Sequence, residues 1–302
     1  MSGLGKSFGE SYGYLLIVAA EILWGTIGIL AKLSFAYGIY PETLIALRLL
    51  ISFSTLLTVL MLVRRDFLRI RKADVSAFLI FGLFAVALQR VAYFYAVDLT
   101  TATVAAVLFY TTYPTFVTLS AWIFLKEKVS LRELLAIMLT FLGVALVTRI
   151  YDAASLSVNL LGIFFGLLST LLAVLFFMMT KKLRSKYSSW TLTVYGDGIG
   201  ALVLTPVISL SLPQMVAFPP QLWLLILAIA WVPSLLAYLL FSHALKYVKA
   251  SKGSTLSVIE PLSTALFSAV FLREALEQAQ MLGIAILLVG VALLFKTYRK
   301  TS

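Results

Sequence analysis

The sequence predicts an all-α membrane protein: ten transmembrane helices arranged as two inverted-topology repeats of five helices each. Three observations carry this. The chain has 302 residues, 62% hydrophobic and only 12% charged, with mean hydropathy +1.03. Soluble domains run nearer half apolar and a quarter charged. Its apolar runs approach the roughly 20 residues a helix needs to cross a bilayer. Finally, several of its segments match others at one fixed offset of 147 residues.

Taken in chain order, the spans run over 13–35, 42–63, 75–97, 102–125, 131–148, 159–180, 189–211, 221–245, 250–272 and 278–296. The linkers are short, so the spans form one bundle. Bases collect in alternate linkers. Arg64, Arg65, Arg69, Arg71 and Lys72 follow the second span, and Lys126, Lys128 and Arg132 the fourth. Lys181, Lys182, Arg184 and Lys186 follow the sixth, and Lys246, Lys249 and Lys252 the eighth. The opposite loops hold little, and SLPQMVAFPPQ holds no base at all. The positive-inside rule then predicts a multi-pass protein of the cell membrane with both termini in the cytoplasm. The N-terminal MSGLGKSFGESYG is too polar to read as a signal peptide.

Composition also excludes functions. The net charge of +11 lies in membrane-flanking clusters without the stacking aromatics of a nucleic-acid groove, so no nucleic-acid partner is expected. With no cysteine and one histidine, neither a disulfide framework nor a multi-histidine metal site is possible. No phosphate loop, nucleophile elbow or metal-ligand spacing is present. The expectation is therefore a non-enzyme without metal or cofactor.

The repeat maps FLKEK at 124–128 onto FLREA at 271–275, Pro114 onto Pro261, Phe94 onto Phe241, and GVAL at 143–146 onto GVAL at 290–293. The units run over 12–148 and 159–296, as a duplication predicts. Five spans per unit force the second unit to enter from the opposite side. Inverted repeats place a binding site at their interface near mid-membrane and open it alternately to either side. The layout is that of a secondary transporter.

At this level the chain resembles the drug/metabolite transporter superfamily, EamA type. The resemblance rests on the ten spans, Trp24-Gly25 in the first, Arg48 early in the second, and the Glu260-Pro261 dipeptide. It rests also on a pattern closing each half: Pro114, Leu125, Glu127, Gly143, then Pro261, Leu272, Glu274, Gly290. The sixth span departs from it, with Leu172-Ala173 in place of a Trp-Gly pair. Relatives of this type export amino acids, drugs, nucleotide sugars or sugar phosphates, so the resemblance implies transport without fixing a substrate.

Ionisable residues inside spans mark candidate sites, because a charge in hydrocarbon is costly. In the ninth span Gly253, Ser257, Glu260, Pro261, Thr264 and Ser268 share one helical face. Pro261 in mid-helix frees the carbonyl of Ser257, which is tolerated beside a cavity. The related stripe of the fourth span is Ala106, Tyr110, Tyr113, Pro114 and Val117, so Pro114 and Pro261 are the expected helix breaks. Tyr93 and Tyr238 extend the aromatic set, with Trp231 and Ser234 on the face of Tyr238. The first span carries Glu21, Trp24, Gly25, Gly28 and Lys32 on one face. In GDGIG at 196–200 the glycines read as close helix packing, with Asp197 either incidental or in contact with substrate or a proton. Lys32 reads as snorkelling outward, Arg48 as knitting helices and His243 as interfacial.

Depth along the spans puts the acids central and towards the inside, and Arg90 in the outer third. That arrangement fits an amphipathic zwitterion such as an amino acid. Its ammonium would face Glu21 or Glu260, its carboxylate Arg90, and its side chain Trp24, Tyr93, Tyr110 and Tyr238. A desolvated carboxyl can also carry a proton, with Glu260 the first candidate and Glu21 and Asp197 behind it. The expected function is export of a small metabolite by alternating access, with substrate, lipid bilayer and protons as partners and a monomer as the unit. Other readings are a cationic drug exporter, a sugar-phosphate or nucleotide-sugar exchanger, and a small-molecule membrane receptor.

Overall fold

The computed structural model describes residues 2–99, 109–110, 112–113, 116, 120, 123, 130–147, 160–249, 253, 256–271 and 277–298. All regular structure among them is helical. Most of the expected fourth span lies outside the described residues, with Pro114, Leu125 and Glu127; so do Leu272 and Glu274 and the side chain of Lys32.

The first span is α1 (Ser2–Gly25) and α2 (Ile27–Phe35). They meet at Thr26, whose hydroxyl donates to the Leu23 carbonyl at 2.7 Å. Gly38, at φ 81°, sits in the left-handed region that glycine enters freely and turns the chain towards α3 (Pro41–Val63). Pro41 stands at the start of that helix, where a missing N–H goes unneeded. The third span is α4 (Val75–Ile80), a π-helical stretch Phe81–Leu88, and α5 (Gln89–Leu99). Then follow α6 (Leu131–Val147), α7 (Leu160–Leu183) and α8 (Ser189–Val203). The hydroxyl of Ser188 caps α8 by accepting from the Thr191 amide at 3.1 Å.

The chain bends by 70° between α8 and α9 (Thr205–Met215), with Pro206 in the first turn of α9. Next comes α10 (Pro220–Ile229), a second π-helical stretch Ala230–Leu236, and α11 (Ala237–Ala244). A 3-10 turn Leu256–Val258 leads into α12 (Ile259–Phe271), and α13 (Gln278–Tyr298) closes the described chain. Pro261 therefore stands in the first turn of α12, where proline is tolerated, and not in mid-helix as expected. The break falls one turn earlier, at the change of pitch.

Among the described residues, five segments are long and apolar enough to cross a membrane: Gly9–Phe35, Pro41–Val63, Lys72–Ala96, Leu160–Leu183 and Pro220–Ala244. The bent pair α8–α9 makes a sixth, and shorter apolar helices lie at Leu134–Gly143 and Met281–Gly290. Leucines such as Leu62, Leu160 and Leu210 are largely exposed, and an apolar belt of this kind suits a lipid-facing surface. Inside, α6 packs on α13, α3 on α8, α5 on α7, and α1 on α11 and α12. The first π stretch packs on α8 and the second on α3. One core gathers Tyr14, Ile17, Phe177, Phe241 and Leu256; another gathers Leu49, Phe78, Phe81, Val86 and Leu192. The candidate site lies between them.

Candidate functional site

Two groups of opposite charge face one aromatic cluster. The acidic group joins α1 to α12. Glu21 is fully buried; its Oε1 accepts from the Ser257 hydroxyl at 2.9 Å, and its Oε2 has no hydrogen-bond partner among the described residues. The two helices can come this close because Gly25 lacks a side chain. A methyl there would stand 2.6 Å from the Ser263 Cβ. Thr264 adds a clasp, its hydroxyl 3.2 Å from the Gly25 carbonyl and 3.0 Å from that of Glu260. Tyr110 is in hydrogen-bonding reach of the Glu260 carboxylate, and Glu260 acts electrostatically on Glu21, Tyr93, Tyr110, Tyr113 and Arg48.

The basic group joins α3, α5 and α8. Arg90 follows the first π stretch, donates to the Val86 carbonyl at 2.7 Å, and sets its guanidinium 4.8 Å from the centre of the Tyr238 ring, within cation–π range. Asp197 is buried and accepts from the Ser52 hydroxyl at 2.5 Å. Arg48, one helical turn before Ser52, is buried as well and lies in electrostatic range of Arg90, Asp197 and Glu260. A small cavity here is lined by Arg90, Asp197, Thr193, Ser242, Tyr238 and Phe176, among others.

Aromatic rings bridge the two groups. Trp24 packs edge-on to Tyr238 at 4.8 Å, Phe176 at 5.5 Å from the same ring, and Tyr93 edge-on to Phe109 at 5.7 Å. Buried polar atoms in folded proteins nearly always carry hydrogen bonds. Yet Glu21 Oε2, Trp24 Nε1, Arg48 Nε, Arg90 Nε and Thr193 Oγ1 are buried without a partner among the described residues.

The structure thus brings together Glu21, Trp24, Arg90, Tyr93, Tyr110, Tyr238, Glu260 and Asp197. It also sets Arg48 beside the charge cluster, and adds Ser52, Thr193 and Phe176. Ser52 was legible as a polar residue one turn from Arg48; Phe176 and Thr193 carried no signal apart from the tertiary packing. The glycines around Asp197 do pack closely: a methyl on Gly196 would meet the Phe81 ring at 2.8 Å, and one on Gly198 the Phe53 ring at 2.6 Å. His243 lies edge-on to Tyr12 at the end of α11, 6.2 Å between ring centres.

Apolar spans around a buried polar and aromatic centre define a multi-pass membrane protein of the transporter class. The chain belongs to the EamA-like transporter family, whose profile matches residues 11–149 and again 160–296. It is 30% identical over 288 residues to an uncharacterized transporter of Archaeoglobus fulgidus, covering 94% of this chain and 97% of that one. The uncharacterized inner membrane transporter YicL of Salmonella typhimurium is 24% identical, with 96% and 97% covered. A crystal structure 17% identical in sequence superposes with a TM-score of 0.79, covering 97% of this chain and 99% of the other, which establishes likeness of fold. The family and these relatives are transporters, not enzymes.

Proposed function

We propose that the chain exports a small amphipathic zwitterion, an amino acid or close analogue, by alternating access between two inverted five-helix repeats spanning 12–148 and 159–296. The observation that carries the substrate class is the bipolar site. Glu21 and Glu260 flank the contact of α1 with α12, Arg48 and Arg90 lie on α3 and α5 with Arg90 over Tyr238, Trp24 packs on that same ring, and Arg48 and Glu260 are in electrostatic range of each other. An apolar pocket with a few placed polar groups is the usual form of a small-molecule site.

Three features support the repeat. The family profile matches twice. A π stretch occurs in each half, and helix pairings recur with the halves exchanged: α5 on α7 answers α1 on α11, and the first π stretch on α8 answers the second on α3. A reporter fused at Ser302 should read as cytoplasmic and one placed within 211–221 as external. Finding both on one side overturns the inverted arrangement.

The charge count supports proton coupling. Three carboxyl groups (Glu21 and Asp197 buried, Glu260 half-buried) accompany two guanidinium groups, and a zwitterion adds no net charge, so one proton balances the cluster. The experiment is counterflow in proteoliposomes: exchange of labelled for unlabelled phenylalanine shows transport, while saturable binding without exchange favours a receptor. Glu260→Gln should flatten the pH dependence of exchange while leaving the melting temperature near wild type. An unchanged pH profile removes Glu260 as the carrier.

A further inference from the structure

We propose that Arg48 anchors the anionic group of the transported molecule, and that Arg48, Arg90 and Asp197 form a subsite matched to one carboxylate of single charge. The proposal rests on the zwitterion reading above and deepens it by naming the residue and the charge. Four observations converge on it.

Arg48 is 6% exposed, and its Nε has no hydrogen-bond partner among the described residues. A guanidinium that only knits helices looks different here. Arg184 donates its Nε to the Ser242 carbonyl at 2.7 Å and a terminal nitrogen to the Tyr187 carbonyl. Arg90 shares the unpaired Nε but is otherwise engaged, with the Val86 carbonyl on one side and the Tyr238 ring on the other. Asp197 is held by Ser52, four residues beyond Arg48 on the same helix, so it lies beside the basic group as a fixed counter-charge.

Counted over α3, α5 and α8, two guanidinium groups and one carboxylate leave a single positive charge; Glu260 on α12 also acts on Arg48 and is assigned to the ammonium of the zwitterion. A carboxylate ligand brings that sum to zero. A phosphate ester dianion would overshoot it, and a simple amine would leave it unpaired. The guanidinium fork matches a carboxylate through two parallel N–H donors, a geometry that lysine cannot reproduce. Thr193, whose buried hydroxyl also has no partner among the described residues, lines the small cavity with Arg90 and Asp197 and offers a further donor there.

The test uses the purified full-length protein and three probes of similar size: L-phenylalanine, phenethylamine and 3-phenylpropionate. Each is scored by competition binding and by thermal shift, in wild type, Arg48→Gln, Arg48→Lys and Ser52→Ala. Arg48→Gln is expected to weaken phenylalanine and 3-phenylpropionate by about tenfold or more, since hydrogen bonds to charged groups are the stronger ones, and to leave phenethylamine unchanged. Arg48→Lys should fall between the two. Ser52→Ala frees Asp197 to pair with Arg48 and should weaken only the two carboxylates; it answers the question even if Arg48→Gln does not fold. Equal loss of all three probes, or wild-type affinity for phenylalanine in both Arg48→Lys and Ser52→Ala, overturns the role of Arg48 and leaves the substrate reading standing. If wild type binds phenethylamine as well as phenylalanine, or binds none of the probes, the zwitterion reading fails first and this inference with it.

Discussion

The two π-helical stretches occupy similar places in the two halves but solve the same problem differently. Each is followed, two residues on, by a residue of the candidate site. Leu88 is followed by Arg90 and Leu236 by Tyr238, and these two side chains meet face to face. In the second half the cause is covalent. Pro233 has no N–H to give the Ile229 carbonyl, so the helix widens and the Ser234 hydroxyl takes that carbonyl at 2.8 Å. The first half has no proline in the stretch. There Gly82 lies so close against Ile199 that an added methyl would meet its Cγ2 at 2.6 Å, and the Val86 carbonyl is taken by Arg90 itself. In one half the loosened carbonyl is taken by a neighbouring hydroxyl, and in the other by an arginine of the candidate site. The same local distortion serves packing or function according to which donor lies nearby, and π-helical turns are frequent at functional sites.

Four substitutions bear on this contrast. The largest effect is expected for Arg90→Ala. It removes one member of a buried charge cluster and leaves Asp197 less compensated, at a cost of about 2–5 kcal/mol. Exchange in proteoliposomes should fall by at least about thirtyfold, and near wild-type exchange would show that Arg90 serves only the helix. Gly82→Ala comes next. Overpacking at the contact with Ile199 should destabilise the fold by about 1–3 kcal/mol, read as a lowered melting temperature in detergent. No change there would mean that the glycine does not set the first π stretch.

Tyr238→Leu removes the ring face beneath Arg90 and should weaken substrate binding by an amount corresponding to about 0.5–2 kcal/mol, whereas Tyr238→Phe should retain most of it. Equal losses in the two variants would point to the hydroxyl instead of the ring. The smallest effect belongs to Ser234→Ala. It leaves the Ile229 carbonyl unsatisfied and should cost about 1 kcal/mol of stability without altering substrate selectivity. A change of selectivity would place Ser234 in the site and erase the difference between the halves.

Much of the site was legible because membrane sequences penalise charge. Glu21, Arg90, Asp197 and Glu260 stand out from apolar neighbours, and the helical period alone puts Glu21, Trp24 and Gly25 on one face and Ser257 beside Glu260. The partners of these charges were less legible. Arg48 gives the same signal as any arginine that braces helices; only packing against α5 and α8 distinguishes it, with Arg90 and Asp197 in range and its Nε unclaimed among the described residues. Pro261 signalled a break, and the change of pitch at Leu256–Val258 falls around the Ser257 carbonyl that its missing N–H leaves free.

Taken alone, the sequence determined that this chain enters a membrane, that its two halves are related, and which charges inside apolar segments needed a reason to be there. Those properties follow from transfer free energies and helix periodicity, which are local and nearly additive along the chain. The tertiary structure decided how those charges are grouped, with Glu21 and Glu260 across one contact and Arg48, Arg90 and Asp197 across another, and it set Tyr238 between them. Such pairings join residues as much as 239 positions apart, as in the Thr264 bond to Gly25. They depend on which small residues let which helices approach, a property of the packed bundle and not of any one segment.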